Sequence, residues 1–188
     1  MAGKKDREGG EDRPMTGIEG LDDVLSKGLT RDRTFLLEGS PGTGKTTTAL
    51  QFLLAGAVAG ERGLDVTMSE TENELRTSAA SHGWNLDDVE VYELAPPETL
   101  LTEEQQQSLL YSSDLELGET TKRIFEAFDR SKPHRIVIDS LSEIRLLAQS
   151  SLRYRRQILA MKHFFAQRGA TVLLLDELGA ELGDRSDH

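Results

Sequence analysis

One eight-residue stretch, residues 39–46, constrains the fold more than any other part of this 188-residue chain. It reads Gly-Ser-Pro-Gly-Thr-Gly-Lys-Thr and matches the pattern G-x-x-x-x-G-K-[ST]. Residues 34–37 before it are mostly apolar, which is typical of a buried strand. Residues 47–55 after it have apolar side chains three and four positions apart, which is typical of a helix. A strand, a glycine-rich loop and a helix in this order predict a phosphate-binding loop.

The glycines of this loop let the backbone curl until successive N–H groups point inward at the start of a helix. Such a nest holds the phosphates of a nucleoside triphosphate. Lys45 is expected to reach the β- and γ-phosphates as a catalytic group, and the Thr46 hydroxyl is expected to ligate Mg²⁺. The predicted nucleotide-binding residues are Gly39, Ser40, Pro41, Gly42, Thr43, Gly44, Lys45, Thr46 and Thr47. The guanine-reading pattern N-K-x-D is absent, which favours ATP over GTP.

Charge and composition exclude several classes of protein. The formal net charge is −11, and a chain this acidic is disfavoured as a general nucleic-acid binder. There is no cysteine, so neither a disulfide nor a thiolate metal site can form. No apolar run approaches the roughly 20 residues that span a bilayer. Residues 1–14 lack the hydrophobic core of a secretory signal, so we expect a cytoplasmic protein.

Further apolar runs predict strands at residues 64–68, 89–92, 135–139 and 171–175, and stretches with helical spacing lie between them. This alternation predicts an α/β fold, a mostly parallel sheet with helices on both faces. We expect one domain over residues 16–188, preceded by a disordered leader over residues 1–15. Residues 95–118 are predicted to form either a surface lid or a loop without a role.

A phosphate loop needs a carboxylate on another strand to hold Mg²⁺ through water. Two acidic residues directly follow apolar runs, Asp139 and Asp176. Glu177 beside Asp176 could also polarise the attacking water. The apolar pattern alone does not choose between these two strands.

Residues 16–22, the phosphate loop, residues 138–140 and the Arg-Tyr-Arg-Arg run at 153–156 resemble, in this order, the KaiC-like ATPases of the RecA superfamily. The likeness runs from about residue 15 to residue 177. It implies a RecA-like core that hydrolyses Mg²⁺-ATP to ADP and phosphate as a signalling or conformational switch. It also implies that Asp139 is the Walker B residue. The strand of Asp176 would then lie between the other two, with Asp176 and Glu177 as candidate γ-phosphate sensors.

The resemblance also places two acidic residues after the second strand, where this chain has Ser69 and Glu70. A serine does not act as a general base near neutral pH without an activating group. Glu70 is therefore expected to be the catalytic carboxylate, with help from Glu177. The alternative is a non-catalytic nucleotide-binding module. A DNA-dependent recombinase-like ATPase is disfavoured, because no Lys/Arg-rich loop follows Asp139.

The resemblance implies a homo-oligomeric ring, hexameric when the domain is complete, with ATP between subunits. Family members carry a further C-terminal strand and basic residues that reach the neighbouring subunit's nucleotide. The last residues of this chain, 183–188, are polar and do not match such a strand. We therefore expect a chain truncated at the C-terminus, whose partners are ATP, ADP and other copies of itself, with no membrane.

Overall fold

Five strands and six helices form the part of the chain that the computed structural model describes, residues 12–94 and 109–178, with the backbone alone at 109–115. The strands are β1 Thr34–Gly39, β2 Gly63–Thr67, β3 Val89–Glu93, β4 Arg135–Asp139 and β5 Thr171–Glu177. The helices are α1 Glu19–Val24, α2 Lys45–Val58, α3 Glu72–Ser81, α4 Leu109–Ser131, α5 Leu141–Ala148 and α6 Ser151–Gln167.

The strands lie in the order β1-β5-β4-β2-β3, and every neighbouring pair is parallel. All residues of β4 and nearly all of β5 are buried, as expected for central strands covered on both faces. This order confirms the predicted α/β core. It also confirms that β5, which carries Asp176, lies between the phosphate-loop strand and the strand that ends at Asp139. The carboxyl ends of all five strands therefore meet at one edge of the sheet.

Two apolar clusters cover the two faces of the sheet. Helices α4, α5 and α6 close the first face, where their fully buried side chains are Ile124, Ile144, Met161 and Phe165. Helices α2 and α3 close the second face with Leu50, Phe52, Leu53 and Leu75. Because α2 returns from the carboxyl end of β1, its N-terminus lies at the edge where the strands end.

Asp22 organises the segment before β1. Its carboxylate is buried and accepts hydrogen bonds from the Thr16 N–H (2.7 Å), the Thr16 hydroxyl (2.8 Å) and the Gly17 N–H (3.1 Å). Gly17 has a φ of +79°, and a Cβ there would lie 3.2 Å from the Gln51 carbonyl oxygen. The turn therefore packs tightly on α2, the helix that begins at the phosphate loop.

The structure describes residues 12–15, which were predicted to belong to a disordered leader over residues 1–15. The Pro14 carbonyl accepts a hydrogen bond from Leu29 N–H (2.9 Å), and the Met15 carbonyl accepts one from the Arg135 guanidinium (2.6 Å). A Cβ at Gly28 would lie 2.4 Å from the Pro14 oxygen, so only glycine allows this approach. Residues 12–15 are thus packed on the domain by tertiary contacts that a local sequence pattern does not reveal. Residues 1–11 lie outside the described part.

Two helices differ from the expectation. Helix α5 directly follows Asp139 and was not predicted, since its eight residues carry too few turns for a clear apolar period. Helix α4 begins at Leu109, so residues 109–118 are helical rather than part of an irregular lid. Leu117 is buried in the first cluster and anchors that part of the helix. The remainder of the predicted lid, residues 95–108, lies outside the described residues.

Asp65 is a carboxyl group buried in the middle of the sheet. It stands between Val91 of β3 and Val137 of β4, on the face covered by α2 and α3. One of its carboxylate oxygens, Oδ1, has no hydrogen-bond partner. Burial, together with the charges of Asp139 and Glu70, raises the pKa of Asp65 to about 8. The group is therefore protonated in the folded chain at neutral pH.

We expect the Asp65→Val variant to be more stable than the parent at pH 7 by about 2 kcal/mol, because valine removes an unsatisfied buried polar group. The folded pKa lies above the ordinary value of 3.8, so the contribution of Asp65 to stability is largest at low pH. This contribution should fall as the pH rises from about 4 to about 8. Urea unfolding at several pH values measures both effects.

The Asp65→Asn variant is the matched control, because it keeps the shape of the side chain and removes its titration. It should lose the part of the parent's pH dependence that comes from Asp65, but gain less stability than the valine variant. If parent and asparagine variant show the same pH dependence, Asp65 is not buried as an uncharged acid.

Candidate functional site

The phosphate loop joins the end of β1 to the first turn of α2. Gly42 and Gly44 adopt φ values of +77° and +86°, which strain any other residue. Ser40 closes the turn, since its carbonyl accepts hydrogen bonds from the N–H (3.3 Å) and the hydroxyl (2.8 Å) of Thr43. A Cβ at Gly39 would lie 2.7 Å from the Thr43 hydroxyl oxygen. The loop thus has the curled backbone that an anion nest requires.

Lys45 and Thr46 are the first two residues of α2, and both side chains lie at the loop. The Lys45 ammonium donates hydrogen bonds to the carbonyls of Gly39 (2.9 Å) and Ser40 (3.0 Å). The Thr46 hydroxyl donates to Oδ2 of Asp139 (2.8 Å), which joins residues 93 positions apart. The lysine is therefore positioned at the anion nest, and the threonine contacts the carboxylate that ends β4.

Asp139 is almost completely buried at the end of β4. Burial raises the pKa of Asp139 above its ordinary value, and the charge of Glu177 raises it further. The hydrogen bond from Thr46 and the charge of Lys45 act in the opposite direction. A hydroxyl and a single carboxylate suit Mg²⁺, which keeps several waters and takes other ligands from bound phosphates. Among residues 12–94 and 109–178, no group of three or more His, Cys, Asp or Glu side chains forms an all-protein metal site.

Glu70 lies in the turn after β2, the strand next to β4. The Thr67 hydroxyl fixes this turn by accepting from the Glu70 N–H (3.1 Å) and donating to the Glu70 carbonyl (2.6 Å). Burial raises the pKa of Glu70, and the charges of Asp139 and Glu74 add to this effect. Glu70 and Asp139 therefore share one electrostatic environment. Ser69, the other residue of the pair, is exposed.

Asp176 and Glu177 end β5, but their side chains have different surroundings. Asp176 is 2% exposed, and its Oδ2 contacts the Arg145 guanidinium and the Tyr154 hydroxyl (3.3 Å). Its Oδ1 accepts from the Ser142 hydroxyl (3.3 Å) and the Glu177 N–H (2.9 Å). Glu177 is only half-buried and raises the pKa of Asp139 by its charge. Both oxygens of Asp176 thus accept hydrogen bonds from protein groups, whereas the charge of Glu177 acts on Asp139.

Arg145 was missed from the sequence, although it lies on α5 directly after Asp139. Its guanidinium also stacks over the Tyr154 ring, 4.9 Å from the centroid. The available signal was indirect: a carboxylate at the end of a fully apolar strand needs a cation when it is buried. Nothing in the sequence pattern identifies which arginine supplies that cation.

A family model described as "ATPase: KaiC" matches residues 15–187 of the chain. The circadian clock oscillator protein KaiC of Thermosynechococcus vestitus is 33% identical over 174 residues, which cover 89% of this chain and 32% of that protein. The UPF0273 protein MK0039 of Methanopyrus kandleri is 29% identical over 174 residues, 90% of this chain and 68% of that protein. The circadian clock protein KaiC2 of a Synechocystis strain is 29% identical over 165 residues, 87% of this chain.

The chain spans about a third of the length of these clock proteins, because the matches cover 29% of KaiC2 and 32% of the oscillator protein. No helix within the described residues is long and apolar enough to cross a membrane.

We expect Asp176→Asn to lower the free energy of unfolding by about 2 kcal/mol, because it removes the negative charge that faces Arg145. In the double variant with Arg145→Met, the loss should be smaller than the sum of the two single losses. Urea unfolding of the four proteins gives the coupling energy.

Asp129→Asn is the matched control for this cycle. Asp129 pairs with Arg168 at 2.9 Å, but the side chains are 55% and 37% exposed, so water screens the pair. The control should change the unfolding free energy by less than about 1 kcal/mol. Equal losses for Asp129→Asn and Asp176→Asn would contradict a special role for the buried pair.

Proposed function

Since the chain belongs to the KaiC ATPase family, we propose that it binds Mg²⁺-ATP and hydrolyses it to ADP and phosphate as a conformational switch. The observation that carries this proposal is the 2.8 Å hydrogen bond between the Thr46 hydroxyl and the Asp139 carboxylate. It brings together a phosphate loop and a carboxylate from a separate strand, the two parts that nucleotide hydrolysis of this type requires.

In this proposal the phosphates lie in the nest over residues 39–47. Lys45 exchanges its two loop carbonyls for oxygens of the β- and γ-phosphates. Thr46 ligates Mg²⁺ directly, and Asp139 holds the metal's water shell. When bound, Mg²⁺ supplies positive charge that neutralises the developing charge on the phosphates. The lysine and the nest add fixed donors that need little reorganisation during the reaction.

Glu70 is proposed to orient the attacking water and accept its proton. Its raised pKa makes it a stronger base than an ordinary glutamate, which suits proton abstraction near neutral pH. Glu177 is proposed to assist and to sense the γ-phosphate, since its charge already acts on Asp139. Asp176 then takes part in sensing the γ-phosphate indirectly. Its carboxylate accepts a hydrogen bond from the Glu177 N–H and so fixes the end of β5.

One observation favours the second candidate, a nucleotide-binding module without turnover. Ser69 replaces one of the two acidic residues of the pair, and it is exposed to solvent. A site with one carboxylate in place of two would hold ATP while hydrolysing it slowly.

We also propose that the chain associates with copies of itself in a ring. Among the described strands, β1 pairs on one side alone, with β5. Its Leu36 is 56% exposed beside that open edge, and an exposed apolar edge favours contact with another chain segment.

The decisive experiment is single-turnover ATP hydrolysis with Mg²⁺ by the parent and by Glu70→Gln, with ATP binding measured in parallel. We expect the variant to bind ATP like the parent and to hydrolyse it at least about 100-fold more slowly, because it loses the base. Glu126→Gln, on the exposed face of α4, is the control and should behave like the parent.

If parent and Glu70→Gln bind ATP and neither turns it over, the module without turnover is correct. If Glu70→Gln hydrolyses ATP at the parental rate, Glu70 is not the catalytic carboxylate.

A second prediction concerns the metal. The parent should bind ATP more tightly with Mg²⁺ than with EDTA. Asp139→Asn should lose about tenfold or more of this gain, because the amide is a poor partner for the metal's water shell. The asparagine can still accept the Thr46 hydrogen bond, which preserves the loop. Lys45→Ala should weaken ATP binding both with and without the metal, and an unchanged Mg²⁺ gain in Asp139→Asn would argue against Asp139.

A further inference from the structure

We propose that a second ligand site, a pocket for a small phosphate monoester, lies at the amino ends of the strands. We call it the amino-end pocket, and its main lining residues are Arg62, Phe128, Lys132, Pro133, His134 and Arg168. Its volume is about 420 Å³, within the range of small-molecule sites. Arg62 directly precedes β2, and His134 directly precedes β4. The pocket thus lies at the amino ends of the strands, about 15 Å from the phosphate loop by strand length.

The charge of this pocket contrasts with that of the chain. Arg62, Lys132 and Arg168 bring three positive charges to this pocket, and His134 adds an imidazole ring. Asp129 is the one carboxylate that lines the pocket, and it is paired with Arg168 at 2.9 Å. The chain as a whole carries a net charge of −11, whereas this cavity has more positive than negative side chains and therefore favours an anionic ligand.

Protein contacts hold two of these groups in place before any ligand binds. The Arg62 guanidinium donates to the Lys132 carbonyl from Nε (3.1 Å) and Nη2 (2.8 Å). The Arg168 guanidinium stacks on the Phe164 ring, 3.6 Å from its centroid. Arginines fixed in this way lose little conformational entropy on binding an anion.

The other two groups offer donors to a ligand. Nδ1 of His134 accepts the Arg62 backbone N–H (3.1 Å), so in the neutral ring Nε2 carries the proton and can donate. Lys132 is exposed and has no ion-pair partner among residues 12–94 and 109–178. Guanidinium, ammonium and imidazole N–H groups together are the donors that bind phosphate oxygens.

The surroundings restrict the ligand to a small one. Phe128 and Pro133 also line the pocket and are themselves buried, so part of the lining is apolar and suits a carbon skeleton. Across Arg62, a neighbouring depression is lined by Asp87, Asp88 and Glu90. These carboxylates would repel an extended polyanion such as a nucleic acid. A single phosphate on an apolar group would contact both the cationic groups and the apolar side chains of the pocket.

Phenyl phosphate is a suitable probe, titrated into the isotopically labelled 188-residue chain while amide chemical shifts are followed. The chain carries Lys45→Ala, which disables the phosphate loop and removes its competition. The amides of Arg62, His134 and Gly169 should shift in a saturable manner. Adding Lys132→Glu should weaken binding at least about tenfold, because an attractive charge becomes a repulsive one.

Arg155→Glu in the same background is the matched control. It makes the same change in net charge on an exposed turn of α6, 13 residues before Arg168 and about 20 Å away along the helix. It should leave the affinity unchanged.

Three results would overturn the proposal: no saturable shift, equal weakening by Arg155→Glu, or shifts confined to the phosphate loop. Lys132→Gln provides a second variant with less charge repulsion, and it should weaken binding less than Lys132→Glu. The amino-end pocket shares no residue with the phosphate loop, so its failure leaves the proposed ATP hydrolysis untouched, and the reverse also holds.

Discussion

The parallel register of the sheet is the constraint on which the site depends. Gly39 pairs with Glu177 across β1 and β5, and Thr67 pairs with Asp139 across β2 and β4. Neighbouring strands lie about 4.8 Å apart, so these residues meet at one edge despite their distance in the sequence. A slip by one residue would turn the buried side chains to the wrong face, and the two apolar clusters therefore stabilise the register.

Because the carboxyl ends of the strands meet at one end of the sheet, the acidic side chains that follow them also lie close together. The charge of Asp139 acts on Glu70, the charge of Glu177 acts on Asp139, and burial adds to the unfavourable energy of the negative charges on Glu70 and Asp139. Asp176, the most deeply buried acid at the end of β5, is the one that pairs with an arginine of the protein. Asp139, Glu70 and Glu177 are the acids that face the proposed nucleotide site. A bound metal ion and Lys45 would supply the missing positive charge.

The sequence predicts the parts of the fold that repeat or match a pattern. The phosphate loop, the strand–helix alternation and the covered parallel sheet all follow from glycine placement and apolar spacing. The position of β5 and the choice of Asp139 needed the family resemblance, because two apolar strands end in acids. The partnership of Arg145 with Asp176 was not predictable, since 31 residues separate them and each is ordinary in its own segment. The amino-end pocket was not predictable for the same reason, because residues from three separate loops form it.

Asp65 has a consequence for how folding exchanges protons with the solvent. The carboxyl group has lost its proton in an unfolded chain at neutral pH, whereas in the folded chain its pKa is about 8. Each chain that folds therefore takes up about one proton from the buffer through this single residue. The measured heat of folding will then include the ionisation heat of whichever buffer supplies that proton. Two buffers of the same pH will report different enthalpies for the same native contacts.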